Sequence, residues 1–536
     1  MYADVESGSP VEPWSGGTML REDQQSRRTS VTSMIGDAPA EQKSGAIDGS
    51  SRQQSQRDQS RSADPPRLAR SIGLVGAVAL SLALVAPSQA VNINPQAAEP
   101  LVGRAIPTAF LLAFVGVLFV AYAVTRLCQR IHGSGSLSTL VAQSLNPHAG
   151  AMTGWLLCGA YILFVVVQAV TCAIFFGALL EGLGVVHSIA HWVYFVVALA
   201  LVVVGTVVAS VRLRRALGVL MSFEFGTVIL IVVVMAIVAC TVIFSHGPQG
   251  QHFSWDVFKP TGGSNLGEAA VFGFLSFAGF EGAAALGEET KNPNRDIPIA
   301  ITGTVVFAGI FFVAIIAFEV MGFGTTTDGL HSLYSSSALV GSLAQLYATT
   351  WVANLIRLGI VVGAFSALSG NILGSARILF AVTRHGYPTL PTSRLQTRQS
   401  VPVAGNLVIA SIVMLFIVLW WGVLAQTPFE TFAAAGTAGT LLILVAYGLT
   451  SAGAMRQVAR RIDPKVPRWQ AVIPVVAIAV LGYVFYKTIL PLPHGGEAWA
   501  LLVVAVWAVV AIATSLHPPQ RFSKFLGTDD SAGPAE

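Results

Sequence analysis

Three carboxylates stand where a carboxylate is expensive. Glu224, Glu281 and Glu319 each lie in a long apolar run, and an ionisable group so placed usually faces a cavity, a partner or a proton path. Glu224 sits about 7 residues, ~10 Å, into its run. Low dielectric there disfavours the charged form, so the group can carry a proton. Glu319 ends one run and Arg357 begins the next, near the same face, so the two are expected to pair as a clamp. A second kind of chemistry sits at two interruptions. In the first apolar run, Ala86-Pro87-Ser88-Gln89 removes a helical hydrogen bond and adds polar groups. In the sixth, FGFLSFAGFEGAAALG gathers Gly273, Ser276, Gly279, Glu281 and Gly282. Glu281 falls ~12 residues into that run, near or just beyond its middle. A simple kink with close glycine packing is the plain reading of either break alone. A true break does more: half-helix N-termini aim N–H groups at an anion, and freed carbonyls face a cation. An α-amino acid carries both charges.

Long apolar elements must hold these residues in place. The chain has 536 residues, 54 % hydrophobic and only 11 % charged, with a mean hydropathy of +0.67. A soluble chain carries roughly 25 % charge, so this one is expected to be an all-α, polytopic membrane protein. Twelve apolar stretches, near 71–95, 108–125, 152–180, 191–210, 217–244, 269–287, 300–322, 352–382, 402–424, 431–450, 471–489 and 498–515, are each long enough to cross a ~30 Å hydrocarbon core as helices. With both termini cytoplasmic, 27 of the 31 Lys and Arg fall on the cytoplasmic side, and 18 against 4 without the N-terminal tail. That bias sets the orientation in the plasma membrane and supports an even number of spans.

Residues 1–70 are rich in Ser, Gln, Asp and Arg and have no apolar periodicity, so they read as a disordered cytoplasmic tail. The transporter domain is expected over 71–516 and a cytoplasmic C-terminal tail over 517–536. The first apolar run ends in Ser-Gln-Ala, like a secretory cleavage site, but it follows 70 polar residues and reads as a span. Four cysteines offer neither a disulfide framework nor a metal spacing. No nucleophile elbow or phosphate loop suggests an enzyme, no cofactor or metal is implied, and a net charge of +4 is too small to suggest nucleic acid.

The broken spans are the first and the sixth. They start on opposite faces and occupy matching places in two five-helix halves, the arrangement expected of a transporter site built on inverted repeats. A channel would instead show a polar stripe along several helices. The stretch Phe277-Ala278-Gly279-Phe280-Glu281, followed by Gly287-Glu288-Glu289-Thr290-Lys291-Asn292-Pro293-Asn294-Arg295-Asp296-Ile297-Pro298, resembles the sixth-span signature of the amino acid–polyamine–organocation permease superfamily. Two further segments are similar to that superfamily's. Gly133 to Leu137 with Asn146 to Gly150 and Gly154-Trp155 match the loop between spans 2 and 3, and Ser375 to Ala381 with Arg384 to Pro388 match the exit of span 8.

The resemblance covers about residues 68–516 and implies an amino acid or amine substrate moved by alternating access. It implies a substrate carboxylate on first-span N–H groups and an amino group on sixth-span carbonyls, hence Ala86, Ser88, Gln89 and Ser276, Phe277, Ala278 and Gly279. Many members have a glycine-rich first break; here it is Ala-Pro-Ser, and Pro87 has no N–H, so Ser88 and Gln89 must donate. Phe274 or Phe277 is the implied aromatic lid, with core or lipid packing the other reading. A lysine near the level of Glu224 approaches the first break in some proton-coupled relatives. Three couplings are left open: protons through Glu224, sodium with Ser366 and Ser369 as ligands, and exchange without an ion. Glu281 is expected to hold neighbouring backbone donors.

Overall fold

The computed structural model describes residues 73–131, 136–210, 214–260, 263–286, 290–386, 403–460, 466–490 and 496–516. Both expected tails lie outside them, as do Gly287, Glu288 and Glu289. Every regular element among the described residues is helical. In chain order these are α1 (Leu74–Val85), α2 (Pro87–Val102), α3 (Ile106–Cys128), α4 (Leu137–Ser144), α5 (Pro147–Gly182), α6 (His191–Ser210), α7 (Arg214–Phe244) and α8 (Leu266–Phe277). A 3-10 segment, Phe280–Leu286, follows. Then come α9 (Pro293–Phe323), α10 (Thr327–Tyr334), α11 (Leu339–Tyr347), α12 (Thr350–Gly386), α13 (Val403–Val418), α14 (Pro428–Ala459), α15 (Val472–Ile489) and α16 (Gly496–Leu516).

Ten helical stretches among the described residues are long and apolar enough to cross a membrane. The first, Leu74–Cys128, has 55 residues. At ~1.5 Å per residue that is about 80 Å, far more than one crossing. It turns at Gly103, whose φ is +54, so it holds two passes. Adding the interrupted pair of α8 and Phe280–Leu286 accounts for the twelve expected spans. The short helices α4, α10 and α11 sit between spans.

Local sequence explains where the helices begin. Pro147 opens α5 behind Asn146, whose Oδ1 accepts from the Ala149 N–H at 2.8 Å. Thr427 and Glu430 cap α14 reciprocally, with Pro428 in the first helical position. Outside the spans, Lys259 lies 2.9 Å from Asp256 and, by that hydrogen bond and its charge, holds the Asp256 carboxyl below its usual range. α5 is buried along nearly its whole length and packs mainly against α12 and α14. α15 and α16 instead expose Val475, Tyr483, Leu502, Val506 and Val509, as helices facing hydrocarbon do. The broken elements α1, α2 and α8 lie against α3, α5, α9 and α12, so the site is framed by the bundle's interior.

Candidate functional site at two helix breaks

The first break is one residue wide. α1 ends at Val85, Ala86 takes a left-handed backbone (φ 46, ψ 63), and Pro87 starts α2. A continuous helix would return N–H groups to the carbonyls of Ala83, Leu84 and Val85. Pro87 has none to give, the Gln89 N–H turns to Ala86 O at 3.1 Å, and the Ser88 N–H donates to Glu224 Oε1 at 3.0 Å. The Ser88 hydroxyl donates to Glu224 Oε2 at 2.6 Å. A carboxylate from α7 thus caps the N-terminus of α2, where the helix dipole favours it. Gly363 of α12 faces the same carboxylate and leaves no room for a Cβ.

The second break is wider. α8 stops at Phe277, Ala278 is extended, and Gly279 has φ +105, which a side chain rarely adopts. The chain then tightens into Phe280–Leu286. Glu281 ties this turn down: its Oε2 accepts from the Gly279 N–H at 3.2 Å and the Tyr447 hydroxyl at 2.8 Å, and its Oε1 accepts from Tyr161 at 3.0 Å. Here the carboxylate holds a backbone donor beside it.

The two breaks touch. A Cβ on Gly279 would lie 2.8 Å from Leu84 Cβ and 3.1 Å from Leu84 O. Ser81 of α1 donates to Phe280 O at 3.2 Å and accepts from the Ala283 N–H at 3.1 Å. On the other side of the break, Asn94 of α2 donates to the Ser276 hydroxyl at 2.5 Å. Between the breaks lies a narrow cavity, bounded by Leu84 and Val85, by Ala278 and Gly279, and by Tyr161, Phe164 and Gln168 of α5 with Asn371 of α12.

The residues singled out in the sequence are distributed as follows. Ala86, Ser88, Ser276, Ala278, Gly279, Glu224 and Glu281 all lie at or across the two breaks. Gln89 is buried there with its Oε1 unpartnered. Phe274 packs on Gly116 of α3, and Phe277 stacks on Phe114 and meets Phe312 edge-on at 5.2 Å. Neither ring lines the cavity; Tyr161 and Phe164 do. Ser369 donates to Phe365 O, one turn back on its own helix, at 3.1 Å. No cluster of metal-ligating side chains occurs among the described residues.

One expectation is corrected. Glu319 and Arg357 do not pair. Arg357 donates instead to Asn354 at 2.8 Å and Gln345 at 3.3 Å, while both Glu319 oxygens are buried without a partner. Proximity to one face does not fix azimuth, and Arg357 turns toward α11, packing against Gly341.

Sequence reasoning also passed over Tyr161, Gln168, Asn371 and Tyr447. Each is a lone polar group in an apolar run, where spacing carries no signal. Asn92, Asn94 and Gln96 had one: an alternating polar run in VNINPQ.

The amino acid permease family model matches residues 72–513. The chain is 25 % identical to a branched-chain amino acid permease of Bacillus subtilis, over 56 % of this chain and 64 % of that protein. It is 26 % identical to the uncharacterized amino acid permease YecA of the same organism, over 83 % of this chain and 95 % of the relative. It is 28 % identical to a low-affinity putrescine importer of Escherichia coli, over 39 % of this chain and 44 % of that one. These are permeases and importers rather than enzymes. With its family signature spanning nearly every helix just described, the chain belongs to the amino acid permease family.

Proposed function

We propose that this protein is a secondary active transporter that carries an amino acid or related amine across the plasma membrane by alternating access, with both termini cytoplasmic. The observation that carries the reading is the meeting of two interrupted helices, the first and sixth spans, at one cavity. Paired interruptions in corresponding places of two inverted halves are the best pointer to a transporter site. The names of the relatives, which cover amino acids and a diamine, support the same substrate range.

The proposed coupling ion is the proton, carried by Glu224. Its two oxygens accept from the N–H and hydroxyl of Ser88. A protonated carboxyl keeps one acceptor oxygen and gains a donor. Protonation therefore weakens its hold on the break, which links proton occupancy to the geometry of the site.

The test is uptake of labelled amino acids and amines by purified protein in proteoliposomes under imposed pH or sodium gradients. Saturable uptake driven by an inward proton gradient is expected. Glu224→Gln should lose that accumulation and keep exchange, because glutamine preserves shape but cannot titrate. Accumulation driven by sodium, or exchange indifferent to both gradients, would replace the proton assignment. Ionic current without saturable uptake would replace the transporter reading by a channel.

A further inference from the structure

Resting on the transporter reading above, we infer that the substrate is an organic amine without an α-carboxylate, held as a cation between the two breaks. The groups that would take a carboxylate are already used. Of the first three residues of α2, Pro87 has no N–H, Ser88 gives both its N–H and its hydroxyl to Glu224, and Gln89 gives its N–H to Ala86 O. The protein's own carboxylate occupies the place where a zwitterion would put its own. At the second break the Gly279 N–H is committed to Glu281 and the Ala278 N–H to Leu275 O.

The cavity walls tell the same story. Tyr161 donates its hydroxyl to Glu281, and Asn371 donates its amide to Ala367 O. Gln168, 9 % exposed, brings a carboxamide whose oxygen has no partner. None of the described residues lining the cavity is Lys, Arg or His. One carboxylate, Glu281, stands directly behind the Tyr161 hydroxyl, and the rings of Tyr161 and Phe164 offer faces that attract an ammonium group. Leu84 O lies against Gly279, at the junction of the breaks. A substrate carboxylate brought here would find the like charge of Glu281 behind Tyr161 and only the neutral Gln168 amide, and a buried charge without partners is rejected. An ammonium group finds the unpartnered Gln168 oxygen, two ring faces and a carboxylate one hydroxyl away.

The experiment compares matched pairs that differ only in the carboxylate: 1,4-diaminobutane with ornithine, and 3-methylbutylamine with leucine. Binding and uptake are measured on the wild-type protein in proteoliposomes. In whichever pair is recognised, the amine should bind at least about tenfold more tightly than its amino acid. Glu224→Ala frees the donors of Ser88 and should swing the preference toward the amino acid by a similar factor. Tighter binding of the amino acid by the wild-type protein overturns the inference and leaves the transporter reading standing. So does an unchanged preference in folded Glu224→Ala protein. Should no standard amino acid and no decarboxylated counterpart be bound or moved, the transporter reading fails, and this inference with it.

Discussion

Ala86 holds a left-handed backbone with a methyl group attached, which costs roughly 1–2 kcal/mol for an L-residue. Bundle contacts on both sides keep it there: Ser88 is bonded to Glu224 after it, and Leu84 is wedged against Gly279 before it. Ala86→Gly is therefore expected to stabilise the folded protein by about 1 kcal/mol, read as a raised unfolding midpoint in detergent. A lowered midpoint would show that the methyl contributes packing that outweighs its strain. Gly279 is the opposite case. Its φ of +105 and the approach of Leu84 leave no place for a side chain, so Gly279→Val should abolish substrate binding while the protein still reaches the membrane. Unchanged affinity in that variant would reduce this glycine to a packing feature.

Glu281 joins three elements: its own 3-10 segment, α5 through Tyr161, and α14 through Tyr447. Replacing either tyrosine by phenylalanine removes a hydrogen bond to a buried carboxylate, and each change is expected to cost about 1.5–3 kcal/mol. The two bonds serve one group, so Tyr161→Phe and Tyr447→Phe together should depart from additivity in a double-mutant cycle of thermal stability. Strict additivity would mean that the two hydroxyls act independently. The same cluster shows what was legible beforehand. Gly279 and Glu281 stand out because small and charged residues crowd an otherwise apolar run. Their partners do not, because Tyr161 and Tyr447 meet Glu281 across 120 and 166 residues. Single tyrosines in apolar helices look like packing until the tertiary fold selects them. Spans were readable from hydropathy, and breaks from Pro and Gly. The azimuth of each helix was not readable, and for that reason the expected pair of Glu319 and Arg357 failed.

At the scale of the whole molecule, the family match begins at residue 72, and residues 1–66 lack the apolar content to pack on a bundle. Deleting them should leave uptake per correctly inserted molecule unchanged, measured in proteoliposomes at matched protein density; a collapse of uptake with normal insertion would make the tail part of the machinery. The bundle itself divides the loyalties of one span. α1 is fastened through Ser81 to Phe280 and Ala283. α2 is fastened elsewhere: Asn94 to Ser276 of α8, Asn92 to the Val340 N–H of α11, and Gln96 to the carbonyls of Leu333 and Tyr334 in α10. The two halves join at Ala86, and no helical hydrogen bond runs across that joint from Pro87, Ser88 or Gln89 to the carbonyls of Ala83, Leu84 and Val85. A single rod thus carries two bolts, one at each end, and either can be drawn while the other stays thrown.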